Sequence, residues 1–145
     1  MEIDQQTLAA FVATCAYLFL KMFANSGVQA YGRARYKSHK YPEDQRFFGA
    51  PPNRQTQPEL LTRADAAWRN DLENIPIFIV AALCGLLSGV SYALYLPLVI
   101  VFCVGRTVQS VSLLLRLQPW RFLGYLSGVV ATGTMFVLSL RQFGW

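Results

Sequence analysis

Long apolar stretches alternate with short polar breaks along this chain. The apolar stretches run over about 7–31, 60–88, 92–117 and 119–143. A membrane-crossing helix needs roughly 20 residues, and all four are long enough. Lys21 and Asn25 interrupt the first, and Arg106 sits inside the third. The second is polar for its first turns and apolar from Ile75 onward. Residues 32–59 form a polar, basic, proline-containing loop; Gly89–Ser91 is a tight, uncharged turn; Arg116–Trp120 is short and basic. The pattern predicts an all-α, integral-membrane four-helix bundle, with residues 1–145 as one membrane domain.

Composition sharpens that picture. Of 145 residues, 54% are hydrophobic and 14% charged, whereas soluble proteins carry roughly 25% charged residues. Mean hydropathy is +0.31. These values exclude a disordered chain and weigh against a soluble enzyme. The net charge is +5, and eight of the 13 Lys and Arg fall between Arg33 and Arg69. That clustering marks one loop and is not the spread basic surface with exposed aromatics that nucleic acid requires. Lys and Arg favour the cytoplasmic side, so the first and third loops are expected inside and both termini on the non-cytoplasmic side. The acidic start Met1-Glu2-Ile3-Asp4 lacks the basic region of a signal peptide, so the first stretch is read as a retained span. A bacterial inner membrane and an endoplasmic reticulum membrane both fit. Cys15, Cys84 and Cys103 lie scattered in apolar runs, neither a disulfide framework nor a metal site, and are expected as small buried apolar side chains.

The chemistry lies in polar residues at membrane depth. Arg106 stands eleven residues before Leu117, about 16 Å along a helix. An arginine there costs at least ~2.5–3.5 kcal/mol on insertion scales and normally faces a bundle interior or a watery cavity. Gln109 and Ser110 share its face. Two roles are open for it: a structural salt bridge or an anion site. The second span opens Trp68-Arg69-Asn70-Asp71-Leu72-Glu73-Asn74, where Arg69, Asn70 and Glu73 share a face. That face offers a cation, an amide and a carboxylate; the plain alternative is a solvated Arg69–Glu73 pair. Lys21 either snorkels outward or pairs with Glu73 or Asp71. Pro76 is expected to kink the helix beyond the cluster. Arg121, with Tyr125 one turn later, follows Gln118-Pro119-Trp120 as either an interfacial belt or a further part of the site. Arginines grip carboxylates, a glutamate grips an ammonium, and nearby positive charge favours a thiolate over a thiol.

From about Lys21 to Leu140 the chain resembles the MAPEG family, the membrane-associated proteins of eicosanoid and glutathione metabolism. The microsomal glutathione transferase and prostaglandin E synthase branch is the most similar. Arg69-Asn70-Asp71-Leu72-Glu73-Asn74 carries the resemblance, with Pro42-Glu43-Asp44, Val104-Gly105-Arg106 and Pro119-Trp120-Arg121 plus Tyr125 in matching order. The resemblance implies a homotrimer with glutathione bound between neighbouring subunits near the cytoplasmic side. It implies glutathione contacts for Arg33, Arg69, Asn70, Glu73, Arg106, Arg121 and Tyr125. Arg121 matches the arginine nearest the thiol, and Asp44 an acidic loop residue given a chemical role in the synthase. Four positions depart from the synthase pattern: Ala66 replaces an arginine, Gln109 a histidine, Leu113 a tyrosine and Phe122 a serine.

The expected activity is that of a membrane glutathione S-transferase joining the thiolate to lipophilic electrophiles from the bilayer, a detoxification reaction, with peroxidase activity open to the same thiolate. The four departures count against prostaglandin E synthesis. The leading alternative is a non-enzymatic accessory or regulatory membrane subunit, which need not bind glutathione. A four-span multidrug transporter ranks last, because such a protein usually places a lone carboxylate in its first span, where this chain has Lys21.

Overall fold

The computed structural model describes residues 3–39, 41–47 and 57–144. Met1, Glu2 and much of the long loop, positions 40 and 48–56, lie outside the described residues. Every regular element among the described residues is a helix: α1 (Gln5–Tyr36), α2 (Pro42–Phe47), α3 (Glu59–Ser88), α4 (Tyr92–Leu115) and α5 (Trp120–Arg141). α1, α3, α4 and α5 are each long and apolar enough to cross a membrane, and they realise the four expected spans.

α1 begins where Asp4 accepts hydrogen bonds from the Gln6 and Thr7 backbone N–H groups, a side-chain cap for otherwise unpaired donors. Its 32 residues extend about 48 Å at 1.5 Å per residue. A hydrocarbon core is only about 30 Å thick. The helix therefore continues past its apolar run and carries Arg33 and Arg35 in its last turn. α2 falls inside the stretch expected to be plain loop. Proline at its first position and Glu43 and Asp44 in its first turn favour a helix start. α3 runs unbroken through Pro76. It ends at Gly89, whose positive φ of 82° suits a residue without a Cβ. α4 stops at Leu115, two residues earlier than expected, because Arg116 turns left-handed and the Leu117 N–H donates back to the Ser112 carbonyl at 2.8 Å.

The core lies between α3, α4 and α5, with α1 against α3 and α4. Leu61, Ala64, Ala67, Asp71, Ile75 and Phe78 are buried on α3, three or four residues apart, which forms one inward stripe. Phe78 stacks on Phe102 with ring centroids 3.6 Å apart, and the Tyr95 hydroxyl donates to the Ala82 carbonyl at 3.0 Å. α4 and α5 make the closest pairing through glycines. A Cβ on Gly124 would stand 2.7 Å from both the Gln109 nitrogen and the Gly105 carbonyl. Small residues at such crossings let membrane helices approach backbone to backbone. The outer faces carry exposed Phe19, Phe23, Ile77, Val104 and Val130, as lipid contact requires. The cysteines correct one expectation: all three are free, Cys84 is exposed and Cys15 and Cys103 are half-buried. Their apolar surroundings are lipid-facing helix surface as much as protein core.

Candidate functional site

The polar residues of the spans converge on Asp71, which is 0% exposed. Lys21 Nζ donates to its Oδ1 at 2.5 Å and also to the Ser110 hydroxyl at 2.7 Å. Asn25 Nδ2 donates to its Oδ2 at 3.3 Å. Arg106, also 0% exposed, approaches Asp71 Oδ1 with Nη2 at 3.6 Å. The same Nη2 donates to Gln109 Oε1 at 3.0 Å and to Asn70 Oδ1. One network thus joins α1, α3 and α4. Of the two partners open to Lys21, the structure selects Asp71. Arg106 has the salt bridge inside the bundle. Its Nε and Nη1 have no partner and are enclosed by protein.

On the opposite side of Asn70 the chain is open. Arg69, Asn70 and Glu73 line a cavity of about 360 Å³ together with Gln57, Thr62, Asp65 and Ala66. Arg69 and Glu73 are exposed. They form no salt bridge with each other or with any other described residue. The solvated i,i+4 pair is therefore not made. The shared helical face predicted for Arg69, Asn70 and Glu73 is the floor of this cavity.

A second cavity, of about 390 Å³, lies against the last turns of α1 and is lined by Ala30, Arg33, Ala34, Lys37, His39 and Asp44. Arg33 links the two: its Nη2 donates to Gln29 Oε1 at 3.3 Å and stands 4.0 Å from Asp65 Oδ1, a lining residue of the first cavity. Arg121 and Tyr125 stand on the first turns of α5, Tyr125 within electrostatic reach of Arg106. Both are exposed, and neither lines either cavity. With the Gln118 amide oxygen turned toward it, Arg121 donates from Nε at 3.1 Å and from Nη2 at 2.9 Å. One chain thus gathers Arg69, Asn70 and Glu73 at one cavity and Arg33 and Asp44 at its neighbour. It buries Arg106 beneath Asn70 and leaves Arg121 and Tyr125 on an outer surface.

The positions that depart from the synthase pattern divide in the same way. Ala66 lines the Arg69 cavity, Gln109 is bonded to Arg106, Leu113 is buried and Phe122 is exposed. Asp71 is the residue that spacing under-read. It lies within the Arg-Asn-Asp-Leu-Glu run, but its role as counter-ion to both Lys21 and Arg106 depends on how three helices meet.

These features define a membrane-embedded helical bundle with a buried charge network beneath a polar, open cavity. The chain matches the MAPEG family over residues 11–141. It is 31% identical over 144 residues to microsomal glutathione S-transferase 1 of Mus musculus and to that of Rattus norvegicus, covering 97% of this chain and 93% of each relative. It is also 31% identical over 124 residues to prostaglandin E synthase of Bos taurus, covering 85% of this chain and 80% of that protein. The chain belongs to the MAPEG family.

Proposed function

We propose that this protein is a membrane-bound glutathione S-transferase. The observation that carries the reading is the cavity floor: Arg69, Asn70 and Glu73 present a cation, an amide and a carboxylate, with both charges unpaired by described residues. Glutathione is a peptide-like zwitterion with carboxylates, amides and an ammonium, so it offers the complement of each. The glutathione transferase relatives support the same ligand. In this reading Arg69 and Arg33 hold carboxylates, Glu73 holds the ammonium and Asn70 fixes the peptide backbone. The whole chain acts as one membrane domain with both termini on the non-cytoplasmic side.

Arg121 is assigned to the thiolate, Tyr125 to its side of the binding shell and Asp44 to the cavity beside Arg33. Because Arg121 and Tyr125 do not line the Arg69 cavity of their own chain, the complete site is assigned to a homotrimer in which a neighbour supplies them. The electrophile enters from the bilayer. A transferase is preferred over a prostaglandin synthase because Ala66, Gln109, Leu113 and Phe122 replace polar groups of the synthase pattern.

Thiolate stabilisation supplies only part of the rate. A thiol of pKa about 8.5 is roughly 3% ionised at pH 7. Lowering that to about 6.5 ionises roughly three-quarters, a gain near 25-fold. Nucleophilicity falls with pKa, with a slope of about 0.4–0.5, which returns roughly 6–10-fold. The remainder must come from holding both reactants together. The test is a titration of the detergent-purified protein with glutathione, following thermal stability and thiolate absorbance. Stabilisation with a thiolate band, the band being lost in Arg121→Ala, is expected. Absence of binding at millimolar glutathione would sink the transferase reading and leave an accessory membrane subunit.

A further inference from the structure

We propose that Arg106 is a positioning residue: braced by Asp71, it orients the Asn70 carboxamide so that only amide donors face the cavity between Arg69 and Glu73. The proposal rests on the glutathione reading of that cavity and changes what Arg106 does there. The resemblance to the family implies a ligand contact for Arg106. The geometry points instead to a contact made through Asn70.

Three observations carry this. First, Arg106 is 0% exposed. Its two unpartnered nitrogens, Nε and Nη1, are themselves enclosed by protein, so no ligand carboxylate reaches them in this arrangement. Second, the charge of Arg106 is already answered. Asp71 lies 3.6 Å away, and that carboxylate is held in turn by Lys21 and Asn25. Third, a guanidinium only donates, so it must meet the oxygen of the Asn70 amide, as it does. That bond removes the two-fold ambiguity of a free carboxamide. Asn70 Nδ2 makes no hydrogen bond within the described chain and is not among the enclosed polar atoms, while Asn70 lines the cavity. The cavity therefore shows a ligand a cation from Arg69, amide N–H donors from Asn70 and an anion from Glu73.

This fixes a requirement on the ligand. The group opposite Asn70 must be an acceptor, a peptide carbonyl or a carboxylate, and a donor placed there is refused. Arg106 enforces the rule without touching the ligand, and Asp71 keeps Arg106 in place. Gln109 takes a second bond from the same Nη2 at 3.0 Å, which limits the rotation of the guanidinium.

A double-mutant cycle separates this from direct contact. Glutathione affinity is measured by calorimetry in detergent for the wild type, Asn70→Ala, Arg106→Gln and the double variant. A glutamine amide can donate or accept, so it no longer dictates which end of the Asn70 carboxamide faces the cavity. One hydrogen bond is worth up to about tenfold in affinity, and more where the acceptor is charged. The expected result is that Arg106→Gln weakens binding by about tenfold, while in the Asn70→Ala background the same change adds nothing. Independent, additive losses would overturn the proposal by showing that Arg106 grips the ligand itself. An Arg106→Gln variant with wild-type affinity and only a lower melting temperature would overturn it by reducing Arg106 to a structural role.

Should Arg106→Gln not fold, Asn70→Asp keeps Arg106 paired but replaces the N–H donors by acceptors. It is expected to lose at least about tenfold in affinity, and unchanged affinity would overturn the proposal. A wild-type protein that binds no glutathione would instead remove the transferase reading, an outcome distinct from either failure.

Discussion

A carboxylate taken out of water is costly unless cations and donors surround it, and Asp71 has Lys21, Arg106 and Asn25 around it. Replacing Asp71 by leucine leaves buried Arg106 and half-buried Lys21 without their carboxylate. Breaking such a network by removing one partner costs about 3–5 kcal/mol. Asp71→Leu is therefore expected to melt far below wild type in detergent. Lys21→Met leaves the Asp71–Arg106 pair and a neutral interior, and should cost less. Thermal denaturation followed by circular dichroism checks the order, and the reverse order would mean that Lys21 is the group the network exists to satisfy. At the chain's start, Asp4 shows a smaller residue-scale effect. The Thr7 hydroxyl donates to its carboxylate at 2.6 Å and the Thr7 backbone N–H at 3.0 Å. These bonds, the hydroxyl first, hold its pKa below the ordinary carboxylate value. A carboxyl whose folded pKa is lowered stabilises fully above its unfolded pKa, and that contribution fades as pH falls through the folded one. The protection of the Gln6 and Thr7 amides, measured against their intrinsic exchange rates, should fall on acidification through that range. In Asp4→Asn, which keeps a capping oxygen, that fall should vanish.

At the scale of elements, the glycine crossing of α4 and α5 gives a sharp contrast. A Cβ on Gly124 meets two backbone atoms at 2.7 Å, whereas one on Gly133 meets nothing within 4 Å. Backbone cannot yield as a flexible side chain does, so Gly124→Ala should cost about 1–3 kcal/mol through overpacking. Gly133→Ala on the same helix should be neutral or better. Melting temperatures of the two variants check this, and equal effects would mean that the helices slide apart freely. The same elements show what was legible in the sequence. The four spans were, because hydropathy over about 20 residues reports lipid exposure directly. The Arg69, Asn70 and Glu73 face was, because 3.6-residue periodicity decides which neighbours share a side. The partners of Asp71 were only half legible. Asp71 follows Asn70 by one residue and so points about 100° around the helix, into the bundle. Its neighbours there, Lys21 and Arg106, are set by packing between helices and not by spacing along one. The end of α1 at Tyr36 was missed for another reason: outside the bilayer a polar helix carries no hydropathic signature. α2 was missed because six residues are too few for a period to register.

For the whole molecule, the separation of Arg121 and Tyr125 from the Arg69 cavity is the decisive geometric fact. It leaves two arrangements: a site spread over separate surfaces of one chain, or a site that closes only when α5 of one subunit meets α3 of the next. The proposed trimer takes the second, as a ring of head-to-tail contacts in which each interface joins two different surfaces. The two arrangements differ in a complementation experiment. Arg69→Ala and Arg121→Ala should each lower glutathione conjugation well below wild type when expressed alone, Arg121→Ala through lost positioning as well as lost thiolate stabilisation. Expressed together, they assemble mixed rings. An interface then regains an intact site wherever an Arg121→Ala subunit contributes Arg69 and an Arg69→Ala neighbour contributes Arg121. Random mixing in equal amounts makes about a quarter of the interfaces intact, so about a quarter of wild-type activity should return in the shared membrane. If both arginines act from the same chain, no mixture contains an intact site and activity stays at the level of the single variants. Tagging the two variants differently and purifying through both tags in turn confirms that they share one ring, so that silence in the assay can be read as a shared-site failure and not as a failure to mix.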